Sequence, residues 1–292
     1  VVLLFLNFAV YGNVMTIFGA TVPRMRESFG WSYTTTGMVL AASAVTFFLS
    51  TFVSGFLLQK VRPQRLLVAG LVLGGACLGL FARWPSPALN IILNLSVGIY
   101  MGIVEVITNF EAVRIETSGK SRLMNLLHAG FSLGAILGPL AVGLLLRLDG
   151  PWKVIYPASG GLLLLMAGLF LVFPFPDWEE AEADRASEAG GRQAGGLRLA
   201  REPLLVLLSL GIILYVGSEL GVTNWSSEYF VRSLGAPGST AAFAVSALWI
   251  GILAGRFLLS LAYHGTRQDI VLLALALLCT ACLSAFLAAK NG

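Results

Sequence analysis

Nine blocks of mainly apolar residues divide this chain almost from end to end. A helix needs about 20 such residues to cross the hydrocarbon core of a membrane, whereas membrane-spanning strands give shorter, alternating segments. Backbone groups in lipid must bond within their own segment, so we predict an all-α polytopic membrane bundle. The blocks are 1–23, 34–58, 66–82, 89–113, 125–147, 153–175, 202–226, 239–262 and 270–289.

The charges of the chain lie mostly between these blocks. The 292 residues are 57% hydrophobic and 12% charged, whereas about one quarter of a soluble domain is charged. This composition excludes an ordinary soluble globule and a disordered chain. Lys and Arg are more numerous after the even-numbered blocks, which predicts a multi-pass protein of the cell membrane with its N-terminus in the cytoplasm. The net charge of +4 then reflects topology and requires no nucleic-acid partner.

The longest interruption, 176–201, is acidic first, then rich in glycine, then basic. Such a segment cannot form a core, so we predict a mobile cytoplasmic linker. It separates a six-helix bundle, 1–175, from the first three helices of an incomplete second bundle, 202–292. Because six spans precede the linker and three follow it, we expect a 6+6 arrangement that is cut after about nine spans. The chain also starts at Val1 inside an apolar block, so we expect its start to be missing as well.

Two carboxylates, Glu105 and Glu219, lie inside apolar blocks. Charged groups within a membrane span are costly and usually face a cavity. Gly98, Gly102, Glu105 and Asn109 recur at helical spacing and share one face, which suits a cavity or a close helix contact. The alternative is a structural carboxylate that bonds to a neighbouring helix.

The seventh block adds amide and aromatic groups to its carboxylate. Tyr215 and Glu219 are four residues apart, and Asn224 and Trp225 follow at the end of the block. Polar groups of this kind bond hydroxyls, and aromatic rings cover the apolar face of a sugar. We therefore predict that Asn109, Tyr215, Glu219, Asn224 and Trp225 contact a small polyhydroxylated solute.

The fifth block carries a glycine stripe and a histidine. Gly130, Gly134 and Gly138 recur every four residues, which permits close approach of another helix. His128 lies beside the stripe, and we predict either a polar group near the cytoplasmic mouth or a part of a proton path.

The loop between the second and third blocks reads GFLLQKVRPQR from Gly55 to Arg65. It resembles the signature loop of the major facilitator superfamily, G-x-L-a-D-R-x-G-R-R, with Gln59 in place of the Asp. In that family the loop locks one conformation through charged contacts, so the resemblance implies a gating role for Gly55, Gln59, Lys60 and Arg65. The Gly-Arg pair that ends at Arg256 resembles the family's pair at the cytoplasmic end of the eighth helix, and the resemblance implies that Arg256 belongs with this gating loop.

The resemblance extends over the whole chain. The segments NLLHAGFSLGAILGP and LYVGSELGVTNWSSEYF are most similar to the fucose/glucose–proton symporter branch and its sodium-dependent glucose transporter relatives. This implies the major facilitator fold and a monomer that moves a small solute, a sugar in this branch, by alternating access with proton or sodium coupling. We expect Glu105, Glu219 or both to bind the coupling proton, with His128 as a third candidate.

Three alternatives remain. The first is a drug–proton antiporter of the same superfamily, although such members usually carry an Arg in the fourth span, and none lies between Asn90 and Val113. The others are a polytopic membrane enzyme and a non-transporting receptor. The sequence shows no Ser-His-Asp, H-E-x-x-H, D-x-x-D or Walker pattern, so we predict no enzyme, no metal site and no cofactor.

Overall fold

A computed structural model of the chain describes residues 1–116, 122–175, 202–262 and 268–288. This part contains helices and no strand, which confirms the all-α prediction; the predicted linker 176–201 lies outside it. Eight of its helices are long and apolar enough to cross a membrane, and Ile270–Phe286 is a shorter apolar helix. The α-helices are α1 Val2–Phe29, α2 Tyr33–Leu57, α3 Pro63–Leu80, α4 Pro87–Ile115, α5 Arg122–Arg147, α6 Ile155–Val172, α7 Pro203–Leu234, α8 Gly238–Ala262 and α9 Gln268–Ala288.

Local sequence signals set several helix ends. The Ser32 side chain precedes α2 and accepts a hydrogen bond from the Thr35 N–H at 3.0 Å, as N-cap residues do. Proline begins α3, α4 and α7, at a position where no N–H is needed. Gly30 and Gly235 follow α1 and α7 in the left-handed conformation, which glycine adopts without a steric penalty.

Two helices extend beyond their predicted spans. α1 runs to Phe29 and not to residue 23, and α7 runs to Leu234 and not to residue 226. The expectation that Asn224 and Trp225 lie at the end of a helix is therefore wrong. Apolar length alone set the predicted limits, whereas these extensions carry charged residues that pair with each other across the bundle.

The first six helices pack as the pairs α1–α5, α2–α4 and α3–α6. Glycines make these contacts close: a Cβ at Gly130, Gly134 or Gly138 would collide with Phe5, Ala9 or Asn13 of α1. Helices in lipid associate through such small-residue surfaces. The predicted packing role of the glycine stripe in the fifth span is thus confirmed.

α7 and α8 contact the first six helices mainly through α1 and α5. In α7, Thr223, Ser227 and Glu228 are buried, whereas every side chain from Pro203 to Tyr215 is exposed. In α8, the largest buried side chain is Trp249, in the first half of the helix. The two groups of helices therefore meet closely where α1 and α7 end, and α7 separates from the first group toward its beginning.

Candidate functional site

A group of polar and aromatic side chains lies where α1, α4, α5 and α8 meet. We call it the central cluster. Its members come from all four helices, so no single helix forms it. They are Tyr11 of α1, Tyr100, Glu105 and Asn109 of α4, Phe131 of α5 and Trp249 of α8.

The carboxylate of the central cluster is held by neutral groups. Asn109 Nδ2 donates to Glu105 Oε1 at 2.7 Å, one helical turn away, and the Tyr11 hydroxyl of α1 interacts with the same carboxylate. Among the described residues, no Lys or Arg forms an ion pair with Glu105. A carboxylate inside a membrane span without a basic partner is a suitable site for a proton or another small cation.

Three polar atoms of the central cluster have no hydrogen-bond partner within the described part of the chain. They are the Tyr100 hydroxyl, Asn109 Oδ1 and Trp249 Nε1, and all three are buried. Buried polar groups are normally bonded. The central cluster therefore contains two donors and one acceptor that have no partner among the described residues.

Edge-to-face ring contacts connect these groups across the helices. The Tyr11 ring lies 6.5 Å from that of Tyr100 and 5.3 Å from that of Phe131, between centroids. The Phe131 ring lies 5.4 Å from that of Trp249. The arrangement combines apolar ring surface with a few polar groups, as small-molecule sites do.

The second carboxylate lies in a charged group that joins α5, α7 and α8. The Tyr215 hydroxyl donates to Glu219. Arg256 Nη1 donates to Ser132 Oγ of α5 at 3.2 Å, and the guanidinium also interacts with Tyr215 and with His128. Tyr215 is 58% exposed among the described residues, and Arg256 links the two groups of helices.

The predicted solute contacts fall in three places. Asn109 lies beside Glu105, and Tyr215 lies beside Glu219. Asn224 and Trp225 are near the other end of α7, where the Asn224 backbone lies against α1 and the Trp225 ring is 6.0 Å from that of Tyr33 in α2. The structure therefore pairs Asn109 with Glu105 and Tyr215 with Glu219, but it does not bring all five predicted solute contacts into one group.

The predicted gating loop is exposed. Gly55, Gln59, Lys60 and Arg65 all lie at the surface where α2 ends and α3 begins. Within the described ranges, none of the side chains of Gln59, Lys60 and Arg65 forms an ion pair or a hydrogen bond with another helix. Arg256, which was predicted to belong with this loop, contacts α5 and α7 instead.

Sequence reasoning missed Tyr11, Tyr100, Phe131 and Trp249. One available signal was their depth, because Tyr11, Tyr100 and Trp249 lie well inside apolar blocks. Tyr and Trp in membrane proteins concentrate at the two interfaces. A hydroxyl or indole N–H far from an interface indicates an internal polar partner or ligand.

The fold and site define a polytopic helical membrane protein whose polar groups lie between two sets of helices. The family described as the Major Facilitator Superfamily matches residues 3–291, and the chain belongs to it. The resemblance to this superfamily is thereby confirmed, and membrane transport is the activity that this family represents.

Two curated relatives and one solved structure are similar to this chain. It is 21% identical over 292 residues to the Protein TsgA homolog of Serratia proteamaculans (strain 568), covering 98% of this chain and 71% of that protein. It is 23% identical over 280 residues to the Protein TsgA homolog of Erwinia tasmaniensis, covering 93% and 68%. The crystal structure of a D-xylose-proton symporter superposes with a TM-score of 0.61 at 13% identity. That match covers 87% of this chain and 66% of the symporter chain, and it shows the shared fold.

Proposed function

We propose that this transporter moves a small, neutral, polyhydroxylated solute, a sugar, coupled to a proton or a sodium ion. The observation that carries the proposal is the central cluster. Among the described residues, the Glu105 carboxylate there has no basic partner, and its cluster contains three polar atoms without a hydrogen-bond partner: the Tyr100 hydroxyl, Asn109 Oδ1 and Trp249 Nε1. The site contributes both coupling chemistry and solute contacts.

The chemistry of the central cluster matches a sugar. Its two donors and one acceptor can bond hydroxyl groups, and the Phe131 and Trp249 rings can cover the apolar face of the ring. Neither Arg nor Lys forms an ion pair with the carboxylate in the described part of the chain, which disfavours an anionic solute. The solved structure of similar fold is named a D-xylose-proton symporter, a sugar transporter coupled to a proton, which supports the proposal.

Coupling follows from the single charge of the central cluster. A carboxylate is neutralised when it binds a proton, and a neutral group tolerates a water-free environment better than a charged one. The cation would therefore favour closure of the helices around the solute, and hydration would favour its release. Transport would proceed by rocking of the two sets of helices about the site.

The solute proposal is tested with two variants that keep an aromatic ring at each position and remove one donor. Tyr100→Phe and Trp249→Phe should each weaken sugar binding by about twofold to tenfold, because a neutral hydrogen bond contributes about 0.5–1.5 kcal/mol. Binding is measured by ligand-dependent thermal shift with a panel of sugars and a panel of cationic drugs. Trp84→Phe, at an exposed position, is the matched control.

The outcome of that screen separates the two substrate classes. Stabilisation by sugars that both variants reduce and the control does not would support the proposal. Stabilisation by cationic drugs alone would overturn it in favour of the drug–proton antiporter.

A second experiment tests Glu219. Replacing it with Gln removes the charge that binds Tyr215 and lies in the same group as Arg256. Cation-driven uptake into proteoliposomes should therefore fall by about fivefold or more. A decrease of this size corresponds to a coupling free energy of at least about 1 kcal/mol. Glu202→Gln, at an exposed position before the same helix, is the control. Unchanged uptake in Glu219→Gln would show that its predicted coupling role is wrong.

A further inference from the structure

An ion pair joins the two sets of helices where α1 and α7 end. Arg26 lies in the last turn of α1 and pairs with Glu228 of α7, 202 residues further along the chain. Their side chains are only 12% and 4% exposed. Arg232, on the same helix as Glu228, approaches the same carboxylate with its Nε at 3.5 Å. Glu228 is therefore anchored on its own helix while it binds the opposite set.

The backbones of α1 and α7 touch directly beside this pair. The Ser227 hydroxyl donates to the Gly19 carbonyl of α1. A Cβ at Gly19 would collide with the backbone of Thr223 and Asn224, so only glycine permits this approach. These contacts leave no space for a solute between the two helices at this level.

Aromatic rings extend the closure to α2. The Arg26 guanidinium lies over the Tyr33 ring, 3.4 Å from its centroid, and the Tyr33 ring packs on that of Trp225. A guanidinium on an aromatic face is attracted by the ring electrons. The same arginine therefore binds Glu228 and Tyr33, and it connects α7 to both α1 and α2.

The opposite end of the bundle has no such closure in the described residues. There every α7 side chain from Pro203 to Tyr215 is exposed, and Gln59, Lys60 and Arg65 bind no neighbouring helix. Among the described residues, the two sets of helices therefore meet closely where α1 and α7 end, and not along the first half of α7. A transporter that works by alternating access must open the closed end in its second state.

We propose that Arg26 and Glu228 form the gate that closes the solute pathway at the end of the bundle where α1 and α7 end. The inference rests on the proposed transport function. The pair holds the present state because separation would leave the buried Arg26 guanidinium without its carboxylate, and Glu228 with only the longer contact to Arg232. It opens when the two sets of helices rock apart and water reaches both side chains. Under the predicted topology, this end faces outside the cell.

The gate is tested by the accessibility of a residue behind it. Thr223 is fully buried, so Thr223→Cys, with Cys77, Cys279 and Cys282 replaced by Ala, serves as the reporter. The protein is reconstituted in liposomes and labelled from each side with a membrane-impermeant maleimide. Glu228→Gln and Arg26→Gln should each raise labelling from the gate side by about fivefold or more. The exchanged pair Arg26→Glu with Glu228→Arg should restore slow labelling.

Two further variants serve as a control and as a second test of the gate. Glu27→Gln breaks the exposed Arg24–Glu27 pair in the same part of α1 and should leave labelling unchanged. Ser227→Ala removes only the bond to Gly19 and should raise labelling in the same direction, so the test survives if a charge variant fails to fold. Lower thermal stability with unchanged labelling in all folded variants would overturn the gate. Labelling requires no solute, and failure of the transport proposal would instead appear as absent sugar binding.

Discussion

Replacing Glu105 with Gln should reduce gradient-driven accumulation of solute by about tenfold or more, within the range of about 5–150-fold that coupling free energies produce. Glutamine keeps the shape of the side chain, and its amide oxygen can still accept the hydrogen bond from Asn109 Nδ2. It cannot bind and release the coupling cation. Solute should therefore still bind and exchange across the membrane, but a cation gradient should no longer drive its accumulation.

The measurement is uptake into proteoliposomes under a proton gradient and, separately, under a sodium gradient. Solute counterflow without a gradient reports on binding and movement alone. Glu27→Gln, which removes a carboxylate at the exposed end of α1, should behave like the wild type in both assays. Full accumulation by Glu105→Gln would exclude this carboxylate as the coupling site. The gradient that drives the wild type identifies the coupling ion.

Replacing Gly134 with Leu should destabilise the protein by about 3 kcal/mol, the upper part of the usual range for overpacking. Any Cβ at this position meets the Ala9 carbonyl and the backbone N–H of Asn13. These atoms belong to α1, which cannot move away without breaking its contacts with α5 and the central cluster. The variant should unfold at a lower temperature in detergent.

Gly168→Leu in α6 is the matched control, because a Cβ there meets nothing within 4 Å. It adds the same side chain at a glycine that has open space beside it. Similar melting temperatures for the two variants would contradict the role assigned to the glycine stripe.

Part of the candidate site could be derived from the sequence. Glu105 and Asn109 are four residues apart, as are Tyr215 and Glu219, and each pair is hydrogen-bonded in the structure. Such pairs depend only on the geometry of one helix. The packing role of Gly134 could also be predicted from the sequence, because small residues that recur every four positions allow another helix to pack closely.

Contacts between helices could not be derived in this way. Arg26 was counted among loop charges, and Glu228 carried no signal at all, yet the two form the proposed gate. Tyr11, Tyr100 and Trp249 looked like ordinary apolar residues of three separate spans. Their positions around Glu105 depend on which faces of α1, α4 and α8 turn toward each other.

The sequence by itself determined the membrane class and the all-α architecture, and it located the eight helices that are long and apolar enough to cross a membrane. Each span enters lipid according to its own apolar length and must satisfy its own backbone, so this information is local. The tertiary structure alone decided which polar groups meet and which end of the bundle is closed. In lipid, helices associate by shape and by hydrogen bonds and not by hydrophobicity, so the partners of Glu105 and Glu228 follow from the packing of the whole bundle.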